Sequence, residues 1–124
     1  MMKIAFLSSD DSAALLSCIE AVGSGRLKAE LCCLVTDKAD CKAAVASRAN
    51  HVRVYFFDSR VVAPEVFEDQ VTGTLEFFNP DLILSENFGH TPSESFIEKF
   101  GDRLKTIDPK NPGDVVAMVS GLAK

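Results

Sequence analysis

The 124 residues carry a formal net charge of -5, with 47% apolar and 25% charged residues, proportions that exclude an intrinsically disordered chain and fit one folded domain. A chain of this length buries roughly two thirds of the surface its unfolded form exposes, so a core forms without disulfide or metal staples. The acidic balance and the scatter of the thirteen Lys and Arg residues argue against general binding to nucleic acid or to an anionic membrane, which need clustered cations, and no apolar run approaches the roughly 18 to 20 residues that span a bilayer.

The amino terminus, Met1-Met2-Lys3-Ile4-Ala5-Phe6-Leu7, has too short an apolar run for a signal peptide and no small-residue cleavage site. It reads as a first strand, and the expected compartment is the cytoplasm. Lys3 to Ser8 is nearly all apolar, as in a strand buried on both faces of a parallel sheet. Any residue of Ser9-Asp10-Asp11-Ser12 is suited to cap the helix that follows. In that helix Leu15, Leu16, Ile19 and Val22 recur at helical spacing until Gly23-Ser24-Gly25 stops it.

Leu27 to Thr36 is the second predicted strand, after which Asp37 or Asp40 begins an alanine-rich helix that runs to Asn50. Four cysteines, Cys18, Cys32, Cys33 and Cys41, form neither a CxxC pair nor a spaced metal quartet, and buried reduced thiols are expected. Val52 to Phe57 is a third strand, rich in β-branched and aromatic residues. Pro64 suits the first turn of a third helix, along which Phe67, Val71, Leu75 and Phe78 form one apolar stripe.

Leu82 to Ser85, Ser93 to Phe100 and Leu104 to Ile107 read as strand, helix and strand, and a last helix runs from Asp114 to Leu122 with Val115, Val116, Val119 and Leu122 on its apolar side. The alternation of strands and helices calls for a parallel sheet in an α/β fold. No internal repeat, low-complexity tract or linker divides the chain, so residues 1–124 form a single domain. Polar residues gather where the strands end, the usual place for ligands in an open α/β sheet.

Several stretches carry a resemblance to a known family. They are Lys3-Ile4-Ala5-Phe6-Leu7 before a serine-rich turn, Asp37-Lys38-Ala39-Asp40, Asn79-Pro80-Asp81-Leu82-Ile83-Leu84, Phe88, and Arg103-Leu104-Lys105-Thr106-Ile107-Asp108-Pro109. In order and spacing the chain resembles the amino-terminal, nucleotide-binding half of the folate-dependent formyltransferases. The resemblance implies a three-layer Rossmann-like domain with a five-stranded parallel sheet in the order 3-2-1-4-5. It also implies formyl-tetrahydrofolate as a cosubstrate.

The departures from that family fall on its chemistry. Where it binds the substrate phosphate with a Ser-Gly-x-Gly-Ser-Asn turn, this chain has Ser9-Asp10-Asp11-Ser12-Ala13-Ala14. The glycines that let backbone N–H groups approach an anion are gone, and two carboxylates replace them. The family's catalytic Asn-x-His positions are Thr106 and Asp108 here, with Pro109 and a shortened Lys110-Asn111-Pro112-Gly113 after them. Thr106 retains a donor, but an ionised Asp108 repels a developing oxyanion. The resemblance therefore implies a truncated, formyltransferase-like binding or regulatory module without the family's catalysis. The alternative is formyl transfer retained, or completed by a chain that supplies the missing half.

Several side chains remain as candidates for a site. Ser9, Asp10, Asp11, Ser12 and Phe88 are the ligand-binding positions that the resemblance implies. Asp10, Asp11, Glu86 and Asp108 end strands one, four and five and, in the implied order, line one sheet edge, where carboxylates could hold Mg²⁺ or Ca²⁺; the bland reading makes them helix caps and solvated groups. The strand that ends in Glu86 also resembles the phosphoacceptor strand of a receiver domain, though it carries Glu in place of Asp and comes fourth in place of third.

His90, in the Asn87-Phe88-Gly89-His90-Thr91-Pro92 loop, is an acid–base candidate against the simpler reading of a solvated loop histidine, while His51 and Tyr55 read as a surface and a packing residue. An uncovered edge at the fifth strand, with Phe88, Phe96 and the last helix beside it, predicts a homodimer or a partner chain on that side.

Overall fold

A computed structural model describes residues 1–108 and 115–122. The chain alternates β1 (Met2–Leu7), α1 (Ala13–Gly23), β2 (Ala29–Thr36), α2 (Lys42–Ala49), β3 (Val54–Phe56), α3 (Pro64–Phe78), β4 (Leu82–Glu86), α4 (Glu94–Phe100), β5 (Leu104–Ile107) and α5 (Val115–Leu122). The strands form one sheet in the order β3-β2-β1-β4-β5, and every neighbouring pair is parallel. This is the expected three-layer Rossmann-like α/β fold, with the strand order reversing between β1 and β4.

The layers follow from the period-2 alternation of side chains along each strand. Ile4 and Phe6 point to one face, where they pack with Leu15 and Cys18 of α1, Ala44 of α2, and Val115 and Val119 of α5. Ala5 and Leu7 point to the other, against Phe67, Val71 and Leu75 of α3 and Phe96 and Phe100 of α4. A bulge interrupts the alternation: Ile4 pairs with Leu31 but Ala5 with Cys33, which leaves Cys32 as an extra residue in β2. Cys32 and Cys33 therefore both join the second cluster, and Cys32 Sγ donates to the Ile4 carbonyl at 3.2 Å. All four cysteines are free, and all but Cys41 are buried; burial pushes the Cys18 thiol up to about 11.

Helix ends show which local signals prevail. Of the four candidate caps before α1, Ser12 takes the role and accepts from Leu15 N. Helix α3 opens with Pro64 and ends at Asn79, whose φ of 48° places it in the left-handed region that Asn tolerates. Its stripe is buried at Phe67, Val71 and Leu75, while Phe78 meets Tyr55 edge-on with ring centroids 5.6 Å apart.

Helix α2 corrects an expectation. It starts at Lys42, and neither Asp37 nor Asp40 caps it; Thr36 Oγ1 instead accepts from Lys38 N at 3.0 Å and donates to Lys38 O, which forms a separate turn. Strand β3 spans only Val54–Phe56, because His51 adopts a φ of 62° and Val52 N returns to the Ser47 carbonyl at 2.8 Å.

Strand β5 matches its expected limits, whereas Pro109 and the Lys110-Asn111-Pro112-Gly113 turn lie outside the described residues. The expected apolar surface beside β5 is smaller than the sequence implies. Phe96 is buried in the second cluster, with 5% of its surface exposed, and Val115 and Val119 are buried against α1.

Candidate functional site

Where β1 and β4 end, two loops are tied to each other. Ser9 N donates to Asn87 O at 2.9 Å, and Gly89 N donates to Ser9 Oγ at 3.0 Å. Asn87, with a φ of 55°, donates from Nδ2 to both the carbonyl and Oδ1 of Asp11 at 3.0 and 2.9 Å. Residues 9–12 thus satisfy themselves and the neighbouring loop.

Glu86 completes this closure. It is 3% exposed, and its Oε1 accepts from Ala14 N at 2.9 Å and from Ser12 Oγ at 3.3 Å. Ser12 Oγ accepts in turn from Leu15 N at 3.1 Å. A carboxyl group from β4 therefore occupies the amino end of α1, where backbone N–H groups and the helix dipole favour an anion. This arrangement corrects the reading of Asp10, Asp11, Glu86 and Asp108 as an acidic edge for a cation. Glu86 is turned inward to cap a helix, Asp10 and Asp11 are exposed, and the described residues contain no group of three or more His, Cys, Asp or Glu that could hold a metal ion.

Beside the closed turn lies an open cleft of about 920 Å³ between α3, the 87–93 loop, α4 and β5. Its apolar walls include Leu7, Phe67, Phe88, Phe96, Leu104 and Ile107, and its polar groups include Ser85, Asn87, His90 and Thr106. Glu65, Glu68 and Asp69 of α3 add carboxylates, and none of the described residues lining it is Lys or Arg. Glu68 also ties α3 to the start of α4: its Oε2 accepts from Ser93 N at 3.0 Å and its Oε1 from Ser93 Oγ. Of the sequence candidates, Phe88, His90 and Thr106 meet in this cleft, while Ser9, Asp10, Asp11, Ser12 and Asp108 lie outside its lining.

His90 is not a solvated loop histidine. Its Nε2 is 2.8 Å from Asp37 Oδ2, and its ring lies 4.3 Å from the Phe67 centroid and 5.1 Å from that of Phe88. Asp37 Oδ2 also accepts from Ser59 Oγ at 3.1 Å. Burial by itself pushes the Asp37 carboxyl up, but Ser9, His90 and Ser59, which all favour the ionised form, outweigh it and hold the carboxyl below its ordinary value. The sequence reading missed Asp37 as a site residue. Its position at the carboxyl end of β2, the same edge as Ser9 and Asn87, was the available signal.

An open parallel sheet in the order 3-2-1-4-5, with a cleft beside its switch point, defines a Rossmann-like α/β domain. The chain belongs to the formyl transferase family, whose model, described as Formyl transferase, matches residues 2–109.

Among solved structures it is similar to glycinamide ribonucleotide transformylase 1 from Symbiobacterium toebii, with a TM-score of 0.78 and 18% identity over 86% of this chain and 50% of that one. It is also similar to phosphoribosylglycinamide formyltransferase from Brucella melitensis, with a TM-score of 0.79 and 21% identity over 98% and 66% of the two chains. A formyltetrahydrofolate deformylase from Pseudomonas putida matches with a TM-score of 0.76 and 13% identity over 85% and 37%. At these identities the likeness is one of fold, and the chain spans half the length of the first protein. No curated protein sequence matches it.

Proposed function

We propose that the chain is a formyltransferase-like binding or regulatory module whose cleft accepts a formyl-tetrahydrofolate-type molecule, and that it does not by itself transfer the formyl group to a phosphorylated acceptor. Glu86 is the observation that carries this reading. Its carboxyl group takes the Ala14 N–H and the Ser12 hydroxyl at the amino end of α1, the groups an incoming phosphate would need.

The cleft is a better fit for a mostly uncharged ring system, with aromatic walls and no cation among its described lining residues. At the family's catalytic positions Thr106 offers a single hydroxyl donor and Asp108 a carboxylate. The loss of one oxyanion donor typically raises a barrier by about 3 kcal/mol.

A second reading, formyl transfer completed by a chain that supplies residues this one does not span, is favoured by Thr106 and His90 sharing one cleft. A homodimer or a partner chain is proposed to cover the side of β5, which is an edge strand; light scattering at micromolar concentration is expected to give a mass above that of one chain.

The functional test is turnover of 10-formyltetrahydrofolate with glycinamide ribonucleotide, followed by absorbance. The chain alone is expected to give no turnover above the uncatalysed rate. Turnover by the chain alone refutes the binding-module reading, and turnover only after addition of the carboxyl-terminal half of a homologous enzyme favours the second.

A further inference from the structure

We propose that Asp37 and His90 form a proton-exchanging pair that serves the cleft, with His90 Nδ1 as the atom that accepts a proton from a bound molecule and Asp37 as the residue that positions the ring. The inference rests on the cleft being the ligand site, and it assigns to that site a pair of residues away from the family's catalytic positions at Thr106 and Asp108.

Three observations support it. An aspartate carboxyl is ionised at neutral pH and has no proton to give, so the 2.8 Å contact is read as a hydrogen bond from Nε2–H to Oδ2. In the neutral ring Nδ1 is then the basic nitrogen, and no described group hydrogen-bonds to it. The ring is also held in place. Phe67 and Phe88 lie against it, and Ser59 Oγ donates to the same carboxylate oxygen that His90 contacts. Finally, the His90 side chain is 31% exposed and lines the cleft, whereas that of Asp37 is only 9% exposed. The histidine therefore borders the ligand space while its counter-charge stays beneath, and the other carboxyl oxygen, Asp37 Oδ1, is buried without a partner of hydrogen-bond geometry among the described residues.

The step is simple. The N–H or O–H bond of the bound donor breaks as an N–H bond forms at Nδ1, and the imidazolium that results is neutralised by Asp37. No oxidant or further reactant is required.

The chain contains only two histidines, His51 and His90, so acylation by diethyl pyrocarbonate reads the second against the first. With each site followed by mass spectrometry, at a pH alkaline enough that imidazoles are neutral, Asp37→Asn is expected to slow acylation of His90 at least fivefold and to leave His51 unchanged. A rate at His90 that is unchanged or faster in that variant overturns the proposal.

Nitrogen-15 spectra of the unmodified protein provide a check that needs no variant. At a pH alkaline enough that imidazoles are neutral, the Nε2–H tautomer is expected at His90, and an Nδ1–H tautomer overturns the assignment. Protection of His90 from acylation by 5-formyltetrahydrofolate tests the cleft reading separately. Loss of protection with the Asp37 effect intact overturns the choice of ligand and leaves the proton-exchanging pair standing.

Discussion

Two loops at the same sheet edge have opposite fates in this molecule. The turn after β1 is closed: Ser12, Ala14 and Glu86 satisfy one another at the amino end of α1, and Asn87 engages Asp11. The loop after β4 borders an open cleft of about 920 Å³ with His90 held at its wall. An anion-binding turn is lost easily, because its function needs unsatisfied N–H groups and a single internal carboxylate removes them. A cleft with apolar walls is built from core residues such as Phe67, so altering it costs core packing.

The comparison can be broken by substitution, and the largest effect is expected at the cleft. Phe67 is 3% exposed, stacks on Phe88 and lies tilted against the His90 ring. Phe67→Ala should cost about 3 to 5 kcal/mol in urea unfolding and should free the His90 ring. A loss under 1 kcal/mol would mean that the aromatic wall is not part of the core.

At the closed turn, Glu86→Ala leaves the Ala14 N–H and the Ser12 hydroxyl without their acceptor, at an expected cost of about 1 to 3 kcal/mol. The same variant should gain a few degrees of melting temperature in millimolar inorganic phosphate, a response absent from the parent protein. If both respond alike, the amino end of α1 is not where the competition lies. Ser12→Ala removes the cap and should cost about 1 kcal/mol, read from the same denaturation curves.

The smallest effect concerns pH. The folded state holds the Asp37 carboxyl below its ordinary value, so its contribution is complete above the unfolded pKa, near 3.9 for an aspartate, and is lost as pH falls through the lower folded value. The stability difference between the parent protein and Asp37→Asn should therefore shrink on going from pH 5 to pH 3. A difference that grows with acid would reverse the sign.

Most of the fold was legible because apolar runs and helical stripes report burial directly. Lys3 to Ser8 and Leu104 to Ile107 announce strands, and Phe67, Val71 and Leu75 announce the inner face of α3. Helix α2 was less so, since Asp37 and Asp40 look like caps and only tertiary contacts to His90 and Ser59 show that one of them serves elsewhere. The site was legible in part. Phe88 and Thr106 were found from the family resemblance, and His90 from its place in the loop after the fourth strand.

Glu86 was identified for the wrong purpose, because alternation along β4 does not reveal that its terminal side chain turns inward to α1. The Asp37 to His90 contact joins residues 53 positions apart, and no local pattern encodes it.

A thermal-shift comparison tests most directly the proposal that Glu86 fills the phosphate seat while the cleft stays open. The intact chain would be heated with 5-formyltetrahydrofolate and, separately, with glycinamide ribonucleotide at equal concentrations. A ligand that prefers the folded state adds about 2.7 kcal/mol at 100 times its Kd. A raised midpoint with the folate and none with the ribonucleotide is the expected result; a raised midpoint with the ribonucleotide alone would contradict it.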